Sequence, residues 1–111
     1  MIARVWTGVV ASDDRDSYVA YVEATGVGEY RNTPGCVLAT VLTRELDDEG
    51  RTEVTAFSIW EDEASVRAFA GDDVNAMVLY PEDERYLLGA PQLRHYQVAS
   101  LPNGYEPKGV Q

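Results

Sequence analysis

The chain has 111 residues, enough for one domain with its own core and too few for two. With 45% hydrophobic and 25% charged residues it has the composition of a globular protein, which excludes a disordered or fibrous chain. Nineteen acidic against nine basic side chains give a formal charge of -10, which excludes nucleic acid as a partner. The acidic runs at 13–16, 45–53, 61–73 and 82–84 read as solvated helix starts and loops, with no catalytic role as a group. Cys36 is single, so no intramolecular disulfide can form, and no Cys/His spacing suits a metal. No basic leader or apolar span of membrane length occurs, and a cytoplasmic location is expected.

In chain order, residues 2–10 alternate as a strand, with Ile2, Arg4 and Trp6 on one face and Ala3, Val5, Thr7 and Val9 on the other. Ser12-Asp13-Asp14 offers an N-cap to a helix on which Tyr18, Tyr21, Val22 and Thr25 share a stripe until Gly26 and Gly28 loosen it; the helix resumes through Tyr30. Thr33-Pro34-Gly35 is a turn, and the apolar run 36–42 predicts a strand buried on both sides. After an acidic loop, residues 52–60 form the second arm of a hairpin. Ala64, Val66, Phe69 and Ala70 suit the buried side of a second helix, Val74, Met77 and Val78 predict a further helical turn ending before Pro81, and residues 91–100 predict the last strand.

The order β-α-β-β-α-β predicts an α+β, ferredoxin-like domain over residues 1–100, with a four-stranded antiparallel sheet and both helices on one face. The other face carries valines, leucines and alanines, so a second copy is expected to cover it and the protein is expected to be a homodimer. Residues 101–111 form a polar tail that reaches toward the partner subunit in this reading.

The strand ending in Phe57-Ser58-Ile59-Trp60-Glu61, followed by the helix Ala64-Ser65-Val66-Arg67-Ala68-Phe69, together with Thr33-Pro34-Gly35 before the second strand, resembles the antibiotic biosynthesis monooxygenase group of dimeric α/β-barrel proteins. The resemblance implies a pocket between helices and sheet in each subunit. Some members of the group oxidise phenolic polyketides with oxygen and no cofactor, whereas others degrade haem. Trp60 matches a pocket tryptophan common to both kinds. Haem degraders add an asparagine on the first strand and a histidine on the second helical region, where this chain reads Arg4-Val5-Trp6-Thr7 and Val74-Asn75-Ala76-Met77-Val78; haem degradation is not expected. Phenol oxidisers place an asparagine four residues before the tryptophan and a tyrosine six after it, where this chain has Ala56 and Val66. The family's name is therefore not read as this protein's activity.

His95 is the only histidine, and its ordinary pKa near working pH makes it the candidate general base. Arg4 lies on a strand that should neighbour it and is the candidate for stabilising negative charge. Trp6 and Trp60 are expected to stack on a substrate, with Tyr30, Tyr80 and Tyr86 lining the pocket; the competing reading makes the tryptophans core residues and the histidine structural. Glu82 or Asp83 would fix His95 or close the pocket mouth. The leading expectation is a small enzyme acting on an aromatic or polyketide-like metabolite without metal, flavin or other cofactor. The alternative is a non-catalytic binding or stress-related dimer.

Overall fold

The computed structural model describes residues 1–47 and 49–105. Four strands, β1 (Ile2–Ala11), β2 (Cys36–Glu45), β3 (Arg51–Trp60) and β4 (Gln92–Gln97), form one sheet in the order β2-β3-β1-β4, and all neighbouring pairs are antiparallel. This is the ferredoxin-like α+β topology expected from the order of elements. β4 is shorter than the stretch 91–100, because regular pairing with β1 ends at Ile2 opposite Gln97.

Strand alternation divides the sheet cleanly. Arg4, Trp6 and Val10 of β1 and Val54, Ala56, Ser58 and Trp60 of β3 point to one face and are buried. The helices pack there. α1 (Arg15–Val22) runs through a π-helical segment (Glu23–Val27) into α2 (Gly28–Arg31), so the loosening expected at Gly26 and Gly28 is a widened turn within one continuous helical path. A Cβ at position 28 would lie 2.9 Å from the Glu23 carbonyl oxygen, which makes glycine the residue that fits this turn.

The expected N-cap at Ser12 is replaced by a 3₁₀ turn, Ser12–Asp14, with no side-chain cap on α1. The Ser12 hydroxyl is engaged instead by Glu45 at 2.8 Å and Thr52 at 2.7 Å. α3 (Glu63–Ala70) does have a side-chain cap: Asp62 accepts from the Ser65 N–H at 2.8 Å, and the helix buries Val66. The helical turn expected around Val74 to Val78 is absent. That stretch is irregular because the Val74 and Ala76 carbonyls, which a helix would use internally, accept hydrogen bonds from Arg4, and the Asp73 carboxylate takes the Asn75 N–H. A last short helix, α4 (Asp83–Tyr86), leads to β4.

The second face of the sheet carries Val5, Thr7 and Val9 of β1, Thr55, Phe57 and Ile59 of β3 and Leu38, Thr40 and Leu42 of β2. β2 is therefore not buried on both sides within the chain: it is an edge strand, and Leu38 and Leu42 are 45% and 50% exposed. Tyr96 of β4, also exposed, extends this surface. Of the tail, residues 101–105 carry no regular element, and the expected reach of residues 106–111 falls outside the described residues. No helix is long and apolar enough to cross a membrane among the described residues.

Candidate functional site

Antiparallel register places Arg4 between Ser58 on β3 and His95 on β4, and the pleat turns all three toward the helices. Arg4 is 1% exposed. Its Nη1 donates to the Val74 carbonyl at 2.8 Å and lies 3.0 Å from His95 Nε2; its Nη2 donates to the Ala76 carbonyl at 3.2 Å. The Phe69 ring of α3 lies under the guanidinium, 5.7 Å from Cζ to the ring centre. These partners are all uncharged. The Tyr30 hydroxyl is close as well, and no carboxylate forms an ion pair with this buried cation among the described residues, although Asp83 lines a cavity that Arg4 also borders.

The contact with Arg4 fixes the state of His95. Guanidinium N–H groups only donate, so His95 Nε2 must accept, and the proton of the neutral imidazole sits on Nδ1. Burial first and the Arg4 charge second push the histidine pKa below its ordinary value, with Glu63 opposing. A lone pair already committed to Arg4 does not serve as a general base on a substrate. In this arrangement His95 holds Arg4 in place, and it opens on a separate surface recess of about 240 Å³ shared with Ile2, Glu63, Asn75 and Gln97.

On the opposite side of Arg4, a cavity lies between sheet and helices. Its walls include Arg4 and Trp6 of β1, Ala56 of β3, Tyr30 of α2, Tyr80, and Asp83 of α4. The free space is about 20 Å³, little more than one water occupies. Two buried N–H groups of residues that line it, Arg4 Nε and Trp6 Nε1, have no hydrogen-bond partner. Burial pushes the Tyr30 pKa up, and the nearby Arg4 charge opposes the shift. Tyr80 donates its hydroxyl to Glu29 on α2, and burial together with that carboxylate pushes its pKa well above the ordinary phenol range.

Four of the sequence candidates thus meet around one space: Arg4, Trp6, Tyr30 and Tyr80. Trp60 lies behind this wall. It is fully buried, meets Tyr30 edge-on at 5.6 Å between ring centres, and donates its Nε1 proton to Ser58 at 2.9 Å. Tyr86 is also elsewhere, in a cluster with Tyr18 and Tyr21, 5.0 and 6.3 Å away between ring centres. Glu82 is occupied at the surface by Arg85 at 2.7 Å. Neither Glu82 nor Asp83 fixes His95. Asp83 does line the cavity, where its carboxylate accepts the Tyr18 hydroxyl at 2.8 Å and the Tyr80 N–H at 2.7 Å. Tyr18 is fully buried, and burial and Asp83 together raise its pKa far above the phenol range. Cys36, half-buried, has its thiol pKa raised by burial, which fits a packing residue better than a nucleophile.

Sequence reasoning did not select Thr25, Gly26 and Val78 for the cavity wall. The glycine pair at 26 and 28 was the available signal, since a widened helical turn frequently marks a functional site. Among the described residues no group of three or more His, Cys, Asp or Glu side chains could hold a metal ion.

No family model matches the sequence, and no curated protein does. Solved structures match along nearly the whole chain. The chain has the fold of the antibiotic biosynthesis monooxygenases. A Bacillus cereus protein described under that name is 18% identical, with a TM-score of 0.61 over 91% of this chain and 95% of the other. One from Nitrosomonas europaea is 12% identical, with a TM-score of 0.62 over 90% of this chain and all of the other. A Streptomyces coelicolor monooxygenase in complex with the ligand nanaomycin D is 21% identical, with a TM-score of 0.57 over 91% of each chain.

Proposed function

We propose that the protein belongs to the antibiotic biosynthesis monooxygenase type and is a cytoplasmic homodimer whose subunits each bind a small aromatic or polyketide-like metabolite between helices and sheet. The observation that carries this reading is the cavity in which a buried guanidinium, an indole, three phenols and the Asp83 carboxylate converge, a few polar groups within a largely apolar and aromatic enclosure. The nanaomycin D complex of a similarly folded monooxygenase supports the choice of ligand class.

In this reading the enzyme acts as a monooxygenase on a phenol or enol, or as a cyclase or isomerase, without a resident metal or flavin. Arg4 and Trp6 stabilise negative charge that develops on the substrate, and closure of the cavity shelters the reactive anion from water. His95 contributes through Arg4, as a positioning residue. The proton leaving a phenol or enol must then pass to a group other than His95 Nε2.

The same observation favours one competing reading. With the His95 lone pair engaged, the site resembles a receptor more than an acid-base centre, as a non-catalytic binding dimer would require. Native mass spectrometry of freshly purified protein, followed by product analysis after incubation with phenolic and enolic aromatics in air and under nitrogen, separates the two. Conversion of an added compound supports the enzyme. Recovery of every compound unchanged from a protein that retains it supports the binder, and failure to retain or convert any aromatic compound removes both.

Dimerisation is proposed on the open face of the sheet, where Leu38, Leu42 and Tyr96 are exposed beside Phe57 and Ile59. Leu38→Asp is expected to convert a dimer to a monomer in sedimentation velocity at micromolar concentration. A wild-type protein that sediments as a monomer under those conditions disproves the assembly.

A further inference from the structure

We infer that the Arg4–Trp6 cavity is a receptor for a carboxylate, and that its ligand is a small aryl acid whose carboxylate sits against Arg4 Nε and Trp6 Nε1. This inference rests on the functional reading above and names the substrate class of that same site.

The argument begins with what is unpaired. Arg4 Nε and Trp6 Nε1 are both buried without a partner, and both residues form the wall of one cavity. Native interiors rarely leave buried N–H groups unsatisfied, so a pair beside one space marks a place where an acceptor belongs. Other buried donors nearby have partners: Trp60 Nε1 on Ser58, Tyr18 on Asp83, and the two Arg4 Nη atoms on carbonyls, while the Tyr30 hydroxyl lies beside the Arg4 guanidinium. Among the described residues, Arg4 Nε and Trp6 Nε1 are buried side-chain N–H groups left without a partner, and both side chains line the cavity.

The charge of the missing acceptor follows from the guanidinium. Its neighbours are two carbonyls, a neutral imidazole and the Tyr30 hydroxyl, and none of the ion pairs among the described residues includes it. A buried cation without a counter-charge is costly, and an entering anion removes that cost on binding. Asp83 lines the cavity as well, but each of its oxygens already accepts a hydrogen bond, from Tyr18 and from the Tyr80 N–H.

A carboxylate fits this demand better than a phenolate. It is ionised at neutral pH without assistance, whereas a phenol must first lose a proton that His95 Nε2 is not free to take. It also offers two oxygens to two donors on separate side chains. Apart from Thr25 and the hydrogen-bonded Asp83, the remaining wall is aromatic and aliphatic, with Val22, Ala56 and Val78 among the phenol rings, and this suits a flat apolar body behind the charged group. Free space of about 20 Å³ accommodates no aryl ring, so binding requires displacement of the irregular segment carrying Val78 and Tyr80, whose hydroxyl is held at an exposed contact with Glu29.

The test is isothermal titration calorimetry of the full-length protein at pH 7.5 with benzoate, salicylate and 2-naphthoate, each paired with its neutral amide, and with sodium chloride as a control. The acids are expected to bind at least tenfold more tightly than the amides. Trp6→Phe, which keeps an aromatic ring and removes the N–H, is expected to weaken the acids about fivefold or more and the amides by a smaller factor, so that the acid-to-amide ratio falls; Arg4→Gln is expected to abolish the preference. Because Arg4→Gln could fail to fold, the acid-to-amide ratio measured on wild type and Trp6→Phe decides the matter without it. Equal affinity for acids and amides overturns the carboxylate assignment and leaves the small-molecule reading intact. An acid preference that Trp6→Phe leaves unchanged, or chloride binding as tightly as the acids, also overturns it. No binding by any aromatic probe overturns the assignment and the small-molecule reading together.

Discussion

The two tryptophans occupy the same face of the same sheet, yet their surroundings differ in kind. Trp60 is enclosed by Tyr30 and Phe69, and its N–H ends on Ser58, whose hydroxyl in turn reaches the Arg4 carbonyl at 3.3 Å. The N–H of that indole is satisfied, and Trp60 lines none of the cavities described above. Trp6, two residues along β1 from Arg4, borders a cavity with its N–H unpaired. A closed network stabilises; an open one is poised to bind. The comparison teaches that, among equally buried aromatic residues, an unsatisfied polar atom separates a site from a core.

Substitutions can break that distinction, beginning with the largest expected effect. Trp60→Ala should cost about 3–5 kcal/mol of stability, because it empties a fully packed position and leaves Ser58 without its donor; denaturant unfolding measures it. Tyr18→Phe should cost about 1–3 kcal/mol, since a buried carboxylate oxygen of Asp83 loses its hydroxyl partner. Trp6→Phe should cost about 1 kcal/mol or less, because removal of an unpaired buried N–H offsets the smaller ring. If Trp6→Phe proves as damaging as Trp60→Ala, the contrast between the two indoles fails.

The smallest effect concerns pH. The folded state holds the His95 pKa below its ordinary value of 6.5, so between these values the unfolded chain binds the extra proton. The contribution of neutral His95 is complete above about pH 6.5 and is lost as pH falls through the folded pKa. Unfolding curves of His95→Gln, whose amide oxygen can still accept from Arg4, should show a shallower loss of stability across that acidic window than wild type. Identical slopes would show that the imidazole does not accept from Arg4.

Much of the fold was legible because alternation and helical spacing are strong, local signals. Arg4 and Trp6 shared a face by period two, and Val66 and Phe69 shared one by helical spacing. The failures have physical causes. Ser12 was taken from its capping role by Glu45 and Thr52, which are distant in sequence. The turn around Val74 lost its helix to a buried arginine that needed its carbonyls. For the site, the sequence brought forward Arg4, Trp6, Tyr30 and Tyr80 through residue type and expected strand pairing. It could not show that His95 lends its lone pair to Arg4, or that Tyr86 turns toward Tyr18, because both depend on tertiary packing.

The π-helical segment Glu23–Val27 makes the helical path before β2 sensitive to length. Each residue of an α-helix advances the chain by about 100° around the axis. Deleting one residue there would let the helix run regularly from Arg15 onward, and everything after the deletion would turn by about that angle. Tyr30 would leave both the edge of Trp60 and the wall of the cavity, while Glu29 would lose its reach to Tyr80. Along this helix, then, a single-residue deletion would be more disruptive to the site than most substitutions.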